Sequence, residues 1–235
     1  MTANVLEDAV DTAYLGDLID RVDPDLVFLQ EMTEGAASVL ADRFNHHFLF
    51  PSEEFEGRGV ASKHEAECGS IDLPWRSGTR VRLTVDGKIL VAAGVHMSNP
   101  IQFPWWRSVR ERRDQLDALL AWADTTESDA IIVAGDMNAS PIWPLYRRLA
   151  HRFDDLALTV AEEKGQRPEP TWGWRPGWPR MLRIDHIFGS GVKAVASQVE
   201  PVRGSDHHAL IVDVTHALPP LATLPPLAEG VPPTE

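Results

Sequence analysis

The stretch Ala130-Ile131-Ile132-Val133-Ala134-Gly135-Asp136-Met137-Asn138-Ala139-Ser140 decides the fold class. Its apolar first half predicts a buried strand. Gly135 is compatible with a tight exit from this strand, so Asp136 and Asn138 are expected at its carboxyl end. Alternation along an extended chain points both side chains the same way, where a carboxylate and a carboxamide suit a divalent metal and an anionic oxygen. The alternative is an Asx turn in which Asp136 caps the following segment.

Composition limits the class of protein. The 235 residues are 43% hydrophobic, enough for one large domain or two small ones with a sizeable core. The formal net charge of -13 argues against a protein that binds nucleic acid through a broad basic face. A phosphate substrate stays compatible with this charge, because bound cations invert the local field.

Three features bear on the compartment. Cys68 is the only cysteine, so no intramolecular disulfide forms, which fits a reducing compartment. The sequence has no signal peptide and no apolar run near the roughly 18 residues that span a membrane. We therefore expect the chain as given to be cytoplasmic. Because it starts almost inside a strand at residues 4–6, we also expect a longer natural protein, whose upstream residues could anchor it in a membrane or export it.

Apolar periodicity predicts alternating helices and strands. Helical spacing predicts helices within residues 10–22 and 105–123, and shorter ones over 36–43 and 145–150. Asp86-Gly87 is a hairpin signal, and residues 162–179 form a loop rich in Pro, Gly and Trp. Together these elements favour one mixed α/β domain over residues 1–216, followed by a Pro-rich tail over 217–235. Strands are expected at 4–6, 26–29, 48–50, 59–62, 70–75, 79–85, 89–95, 131–134, 184–188, 192–199 and 209–214.

Polar residues recur where the predicted strands end. Glu31 is the best direct ligand for a hard cation such as Mg²⁺, with Asp206 as a second candidate. His207 can take a proton from an attacking water or return one to a departing oxygen, and Asp185 can hold the tautomer of that histidine. The remaining candidates donate to phosphoryl oxygens, and His96 could also act as a second acid. They are Asn4, Asn138 and His96.

Each of these residues has a plainer interpretation. Glu31 could be a solvated loop acid, and Asn4 could lie on a frayed terminal strand. Asp206 could cap a turn, and Asp185 could simply pair with Arg183. His96 and His207 could be histidines of the core or rim, without a chemical role.

Two further segments carry arginines. Those at 107, 110, 112 and 113 could steer phosphates, but we favour a solvated helix face on which they pair with Glu111 and Asp114. The loop that holds Trp172, Trp174 and Trp178 could stack on bases, meet lipid, or pack on the rim of the fold. Trp172 and Arg175 are its candidate substrate-binding residues.

The order of the motifs resembles the endonuclease/exonuclease/phosphatase superfamily, from Asn4 to about Val214. The resemblance implies a four-layered α/β/β/α sandwich of two packed mixed sheets, with the site at their shared edge. It also implies hydrolysis of a phosphoester by in-line attack of water, with Mg²⁺ or Mn²⁺. The motifs are Ala-Asn-Val-Leu, Leu-Gln-Glu, Gly-Val-His-Met-Ser-Asn-Pro, Gly-Asp-Met-Asn-Ala, Arg-Ile-Asp-His-Ile-Phe and Ser-Asp-His-His.

The resemblance also implies roles for single residues. Glu31 matches the metal-binding glutamate and Asn4 the asparagine beside it. Asp136 matches the acid that orients the nucleophile or binds a second ion, and Asn138 the phosphate-contacting amide. The remaining matches are His207 as catalytic histidine, Asp206 as the acid before it, Asp185 as its supporting carboxylate, and His96 as the histidine of pancreatic-type deoxyribonucleases, sphingomyelinases and inositol-phosphate phosphatases.

Departures from the family pattern bear on the subgroup. Leu6 stands where some nucleases carry Asp, and neither Tyr14 nor Tyr146 lies where abasic-site endonucleases usually place a tyrosine. We expect a phosphodiesterase acting on nucleic acid, with hydrolysis of a phosphomonoester, a phosphorylated small molecule or a phospholipid headgroup as alternatives. A catalytically inactive or truncated binding domain is the alternative of another class. The sequence implies no obligate protein partner.

Overall fold

The computed structural model describes residues 1–101 and 103–217, so nearly all of the predicted tail over 217–235 lies outside the described residues. Two six-stranded mixed sheets pack against each other, as predicted. The first has the strand order β11-β12-β1-β2-β4-β3. Its strands are β1 (Thr2–Asn4), β2 (Leu26–Gln30), β3 (His46–Phe50), β4 (Arg58–Ser62), β11 (Val192–Pro201) and β12 (His208–His216).

The second sheet has the order β5-β6-β7-β8-β10-β9. At its centre, β7 and β8 run parallel while β10 pairs antiparallel with β8. The seven residues of β8 are all buried, as the apolar run in that stretch predicts. The strands are β5 (Ala66–Ile71), β6 (Gly78–Val85), β7 (Lys88–His96), β8 (Ala130–Asp136), β9 (Asp154–Asp155) and β10 (Asp185–Ser190).

Four helices cover the outer faces of the sheets, and the fifth packs its buried side chains into the apolar cluster between the sheets. The side chain of Asp11 caps the first helix by accepting from the Tyr14 N–H. That helix ends where Asp23 adopts a left-handed conformation before Pro24. Within the described residues no helix is long and apolar enough to cross a membrane. The helices are α1 (Thr12–Val22), α2 (Glu34–Ala41), α3 (Trp105–Thr125), α4 (Pro144–Arg152) and α5 (Leu156–Glu163), with a 3-10 turn at Glu7–Ala9.

Three buried clusters correspond to the interfaces between layers. One lies between the first sheet and α1 with α2, and another lies between the second sheet and α3 with α4. The third joins the sheets, where Phe28 and Val60 of one sheet meet Val81 and Ile132 of the other. Burial of these side chains is the main force that holds the sheets together, at about 25 cal/mol per Å² of apolar surface.

Strand register brings the predicted site to one edge. His96 lies opposite Asp136 in the β7–β8 pair, and Asp136 lies opposite Asp185 in the β8–β10 pair. Gly135 allows this close pairing, because a Cβ atom there would lie 1.9 Å from the Val95 carbonyl oxygen. Its φ of +140° is a second reason why only glycine fits.

The predicted elements differ from the structure at several places. The first strand, expected over residues 4–6, ends at Asn4. The strand expected over residues 70–75 is wrong in its bounds: β5 spans Ala66–Ile71, and the chain bends at Pro74. Helix α5 was not anticipated; Asp155 caps it by accepting from the Leu158 N–H. The predicted hairpin at Asp86-Gly87 is confirmed, since both residues have positive φ between β6 and β7.

Candidate active site

The site lies where strand ends from both sheets meet. β1 and β2 run parallel and end next to each other, so Asn4 and Glu31 leave the first sheet together. The second sheet supplies His96, Asp136 and Asp185 from neighbouring strand ends. Six segments far apart in the sequence thus deliver polar side chains to one buried place, as the motif order predicts.

Asn4 bridges the two sheets. Its Nδ2 donates to Glu31 Oε1 at 3.0 Å and lies 3.3 Å from Asp136 Oδ2. His96 Nε2 lies 3.6 Å and 3.5 Å from the same two carboxylate oxygens. Asn4 is therefore ordered between carboxylates rather than frayed, and His96 faces them rather than the core.

Glu31 occupies a strained position. Its φ is 53°, in the left-handed region that residues other than glycine rarely adopt. Strain of this kind, on the order of 1–3 kcal/mol, persists where the surrounding structure fixes the residue, and it concentrates at functional sites. Here β2 has just ended and the Met32 N–H is held by the Gly57 carbonyl, so the turn directs the Glu31 carboxylate toward Asn4.

Asp136 is the centre of the cluster. Its Oδ1 accepts the Asn138 backbone N–H at 2.7 Å, and its Oδ2 lies 3.2 Å from Asn138 Nδ2. Asn138 has a φ of 47° and also donates to the Met97 carbonyl at 3.0 Å. The Asx turn considered as an alternative is therefore present, and it holds Asp136 in the cluster instead of replacing that role.

A buried pair of side chains completes one side of the site. His207 Nδ1 lies 2.9 Å from Asp185 Oδ2, and its Nε2 lies 3.8 Å from Asp136 Oδ2. The alternative pairing of Asp185 with Arg183 is wrong, because Arg183 instead donates to Asp155 at 2.6 Å. Asp185 thus holds the His207 ring by accepting from Nδ1–H, so that Nε2 faces the carboxylates.

Asp206 lies beside this pair. Its Oδ2 accepts from Trp172 Nε1 at 3.0 Å, while its Oδ1 is buried without a hydrogen-bond partner among the described residues. The Oδ1 atom lies 4.0 Å from His207 Nε2. A buried carboxylate oxygen that lacks a donor is costly unless a ligand or ion satisfies it.

Burial and neighbouring charges together shift the pKa values of the ionisable groups in the site. Burial raises the pKa of Asp136 to about 7, with His207 opposing this shift and Asp185 adding to it. Burial also raises the pKa of Glu31. Burial alone would lower the pKa of His207, but Asp185 and Asp136 outweigh it and raise that pKa to about 10. The site therefore holds an excess of carboxylates that a cation would relieve.

The donor set suits a hard divalent cation. Asp136, Asp185 and His207 offer ligand atoms within 4.8 Å of one another. Because both oxygens of Asp185 already face His207 Nδ1, at 3.1 and 2.9 Å, we assign this aspartate to the histidine. Glu31, Asp136 and the unpartnered oxygen of Asp206 then remain as oxygen donors, the kind that Mg²⁺ and Mn²⁺ prefer.

Arg76 is a site residue that the sequence did not reveal. Its Nη1 lies 3.0 Å from both ring nitrogens of His96, and its guanidinium lies 4.3 Å from the centre of the Phe55 ring. Burial and the Arg76 charge lower the pKa of His96 well below its usual value, so this histidine is neutral. No family motif covers the segment around Arg76, and its partner lies 20 residues away.

Arg112 corrects the expectation of a solvated arginine face. It is buried, and its Nη1 donates to the Ser98 carbonyl at 2.6 Å. Gln115 Oε1 accepts the Ser98 N–H at 2.9 Å, so α3 holds both sides of this residue. Arg112 precedes Leu116 by four residues and so shares its buried helix face, a signal present in the sequence. Arg107, Arg110 and Arg113 are exposed and pair with neighbouring acids, as expected.

The two candidate residues of the Trp-rich loop differ. Trp172 bonds to Asp206 and forms a bridge with His207, so the site does include it. Arg175 is exposed, and its guanidinium lies 5.9 Å from the centre of the Trp178 ring. Within the part of the chain that the structure describes, no contact joins Arg175 to the carboxylates.

Relatives of known sequence are similar to most of this domain. A UPF0294 protein of Vibrio vulnificus is 30% identical over 162 residues, which cover 65% of this chain and 51% of that protein. The chain thus spans about half the length of the curated relative it matches.

Solved structures share the fold. A functionally unknown conserved protein from Enterococcus faecalis V583 superposes with a TM-score of 0.74 at 16% identity, covering 92% of this chain and 98% of its own. A 3′ phosphatase from Neisseria, bound to a product DNA hairpin, gives a TM-score of 0.70 at 16% identity, covering 91% and 98%. The sequence model of the Endonuclease/Exonuclease/phosphatase family matches residues 1–207, and the chain belongs to that family.

Proposed function

We propose that this chain is a metal-dependent phosphodiesterase that hydrolyses its substrate by in-line attack of water. Membership in a family of nucleases and phosphatases supports phosphoester hydrolysis in general. The observation that carries the proposal is the position of Asp136 Oδ2. This atom lies within 3.8 Å of polar nitrogens of Asn4, Asn138, His96 and His207, so one oxygen links every part of the site.

Glu31, helped by Asp206 or Asp136, would hold Mg²⁺ or Mn²⁺. When bound, the ion would neutralise the phosphoryl oxygens and the leaving oxygen. Asn4 supports this arrangement because its amide donates to Glu31 and fixes the direction of the carboxylate.

Asp136 and His207 divide the proton transfers between them. Asp136, whose pKa is raised by burial, would accept a proton from water as the oxygen–phosphorus bond forms. His207 carries a proton at neutral pH and donates it to the leaving oxygen as the opposite phosphorus–oxygen bond breaks. Asp185 keeps the ring of His207 in place and stabilises its positive charge.

Neutral donors stabilise the charge of the transition state. The Nδ2 atoms of Asn4 and Asn138 lie 3.3 Å and 3.2 Å from Asp136 Oδ2, and each can donate to a phosphoryl oxygen in exchange for its bond to Asp136, without adding negative charge. His96, kept neutral, can donate from its ring N–H. Preorganised donors of this kind act in a buried site where water does not weaken them.

A cavity beside His96 favours a diester over a monoester. It has a volume of about 360 Å³, and its lining includes His96, Arg58 and Arg76, so it could take the second group of a diester. The guanidinium groups of Arg58 and Arg76 lie over Phe50 and Phe55, each 4.3 Å from the ring centre. Aromatic rings can stack on bases and arginines can bind a neighbouring phosphate, so this cavity suits a nucleic acid strand. The similar Neisseria structure contains a DNA hairpin.

Hydrolysis of a phosphomonoester, or of a phospholipid headgroup, is the second candidate. Exposed Trp and Phe side chains near the site favour a lipid substrate over a small soluble one. A binding domain without catalysis is the third candidate, and the presence of all the acidic and histidine positions argues against it.

The test compares bis-(p-nitrophenyl) phosphate with p-nitrophenyl phosphate, in Mg²⁺, in Mn²⁺ and in EDTA. We expect metal-dependent turnover of the diester and its loss by orders of magnitude in His207→Ala. His64→Ala is the matched control, since His64 is an exposed histidine that also pairs with an aspartate, Asp25. Preference for the monoester would make phosphomonoester hydrolysis the leading candidate. Turnover that is retained in His207→Ala would overturn the assignment of His207 to the active site.

A further inference from the structure

A cluster of large apolar side chains is exposed at the start of α3 and in the loop before α4. We call it the α3 lobe. Monomeric soluble proteins rarely expose a contiguous apolar patch of more than a few hundred Å², and larger ones mark interaction surfaces. Each member of the lobe is more than half exposed. They are Ile101, Phe103, Trp105, Trp106, Val109 and Ile142.

The α3 lobe adjoins the candidate site. One of its segments follows β7, which ends at His96, and the other follows Asn138 by four residues. The Arg112 guanidinium lies 5.5 Å from the centre of the Trp143 ring, so α3 contacts the loop that carries Ile142. The lobe therefore stands on the edge of the second sheet that carries the carboxylates.

The Trp loop, residues 172–182, projects from the same edge. It leads into Asp185 at the start of β10 and is tied to the site through Trp172 and Asp206. Trp174, Trp178 and Met181 on this loop are more than half exposed. Two apolar projections thus rise from one edge, one after β7 and β8 and the other before β10.

The charge near the α3 lobe is opposite to that of the whole chain. Leaving out the buried Arg112, residues 105–114 carry three arginines against Glu111 and Asp114, a net charge of +1 in a chain of net charge -13. The side chains of Arg110 and Arg113 are both about two-thirds exposed. An anionic surface would attract this edge and repel the acidic remainder, which would orient the molecule.

The kinds of side chain distinguish lipid from other partners. Single-stranded nucleic acid binds exposed rings by base stacking, but Ile101, Val109 and Ile142 offer no ring. Trp and Phe beside aliphatic residues and arginines, at the start of a helix, are typical of the membrane interface.

We propose that the α3 lobe and the Trp loop dock this protein on an anionic lipid surface, with the candidate site facing the headgroups. The aromatic and aliphatic side chains would enter the boundary between headgroups and acyl chains, and the exposed arginines would meet the lipid phosphates. The inference goes beyond phosphodiester hydrolysis, because docking requires no catalysis and would apply to any substrate held near the surface.

The test is co-flotation with vesicles of phosphatidylcholine, with or without phosphatidylglycerol. We expect the chain to bind vesicles that contain phosphatidylglycerol, and to bind more weakly to pure phosphatidylcholine and at high salt. Phe103→Ser and Trp106→Ser should each lower the partition coefficient about tenfold, as expected for removal of one inserted aromatic side chain. Both residues are exposed, so neither substitution should unfold the protein.

Two controls separate this proposal from the others. Val195→Ser removes an exposed apolar side chain from β11, on the outer edge of the other sheet, and should leave vesicle binding unchanged. His207→Ala should bind vesicles like the unaltered chain, so loss of catalysis and loss of docking are told apart. Absence of vesicle binding would overturn the proposal, as would binding that Phe103→Ser and Trp106→Ser leave intact. Self-association or single-stranded DNA binding that needs these two residues, without vesicle binding, would also overturn it.

Discussion

Asp185 holds the imidazole of His207 by a contact of 2.9 Å between Oδ2 and Nδ1, with both side chains buried. The pair comes from β10 and from the residue just before β12, so it links the two sheets at the edge that carries the site. Its consequence is an imidazole held in one orientation, with Nδ1 toward Asp185 and Nε2 toward Asp136. Asp185 and Asp136 outweigh the effect of burial, and they raise the pKa of His207 to about 10.

Asp185→Asn should lower kcat about 100-fold and leave KM nearly unchanged, since the aspartate positions His207 without touching the substrate. If protonated His207 is the acid, activity falls as pH rises through its pKa of about 10. Without Asp185 the pKa of His207 drops, so the decrease of kcat on the alkaline side of the pH profile (the alkaline limb) should move to lower pH. The measurement is the pH profile of kcat for the two proteins.

Asp25→Asn is the matched control, because Asp25 forms an exposed pair with His64 at 2.7 Å. It should change neither kcat nor the alkaline limb. An Asp185→Asn protein whose pH profile matched the original would show that the carboxylate is merely structural.

Glu31→Gln should weaken metal binding. We expect Mn²⁺ to raise the Tm of the unaltered protein, because a ligand that binds the folded state stabilises it. In Glu31→Gln the metal concentration needed for that shift should rise by at least about tenfold. Thermal denaturation over a Mn²⁺ titration measures this without any substrate.

The exposed Glu34 provides the comparison for metal binding, and Glu34→Gln should retain the full Mn²⁺ response. The assignment of Glu31 would be wrong if both variants responded to Mn²⁺ like the original protein. A response lost only in Asp206→Asn would place the ion on the other side of the site.

Arg112→Met tests the support beneath Asn138. Arg112 and Gln115 hold Ser98, and the preceding Met97 carbonyl accepts from the Asn138 amide. Removing the guanidinium leaves the Ser98 carbonyl without its donor, at a cost of about 1–3 kcal/mol of unfolding free energy. We also expect kcat to fall about tenfold as Asn138 loses its fixed position.

Arg113→Met removes a neighbouring, exposed arginine and should affect neither quantity. Urea denaturation and steady-state kinetics on both variants separate the two effects. Loss of stability in Arg112→Met with kcat unchanged would restrict this arginine to a role in folding.

The sequence predicted the family, the two-sheet architecture and the strand ends that meet. These features depend on local patterns, because an apolar run that ends in a polar residue can be recognised from the sequence alone. The examples are the runs that end in Asn4, Glu31, His96 and Asp136. The structure adds their distances, which depend on the register between strands far apart in sequence. Asp136 and Asp185, for example, lie opposite each other although 48 intervening residues separate them in the chain.

The residues that were missed are those whose partners lie elsewhere in the fold. Arg112 was assigned to solvent because arginines are usually exposed, whereas the Ser98 carbonyl and the Trp143 ring surround it. Arg76 follows no motif and gains its position only when β7 places His96 beside it. The periodicity of α3 places Arg112 on the buried face of the helix, but the partner atoms of both arginines follow from tertiary packing, which periodicity does not encode.

Asp155 is the acid of a second buried polar cluster, outside the candidate site. Its Oδ2 accepts from Arg183 Nη1 at 2.6 Å and from the Tyr146 hydroxyl at 2.8 Å. Burial alone would raise the pKa of Asp155, but His186, Arg183 and Tyr146 hold that pKa well below its usual range. Because the folded state keeps this carboxylate ionised, Asp155 stabilises the fold at neutral pH.

Asp155→Asn should lower the unfolding free energy at neutral pH by about 3 kcal/mol, since it leaves Arg183 buried without its counter-charge. In the unaltered protein, ionised Asp155 makes its full contribution to the unfolding free energy above the carboxyl pKa of the unfolded chain, about 4. Below that pH the unfolded chain binds a proton while Asp155 of the folded state stays ionised, so this contribution is lost progressively. The difference in unfolding free energy between the unaltered protein and Asp155→Asn should therefore become smaller from pH 7 to about pH 3.

Urea denaturation at both pH values measures this difference, with Asp154→Asn as the control at the exposed neighbouring position. Asp154 should contribute little at either pH, because no packing holds its charge. If the loss in Asp155→Asn were the same at both pH values, the effect would come from packing rather than from the charge. Narrowing of the difference assigns it to the ion pair, since the cap to Leu158 survives in an asparagine.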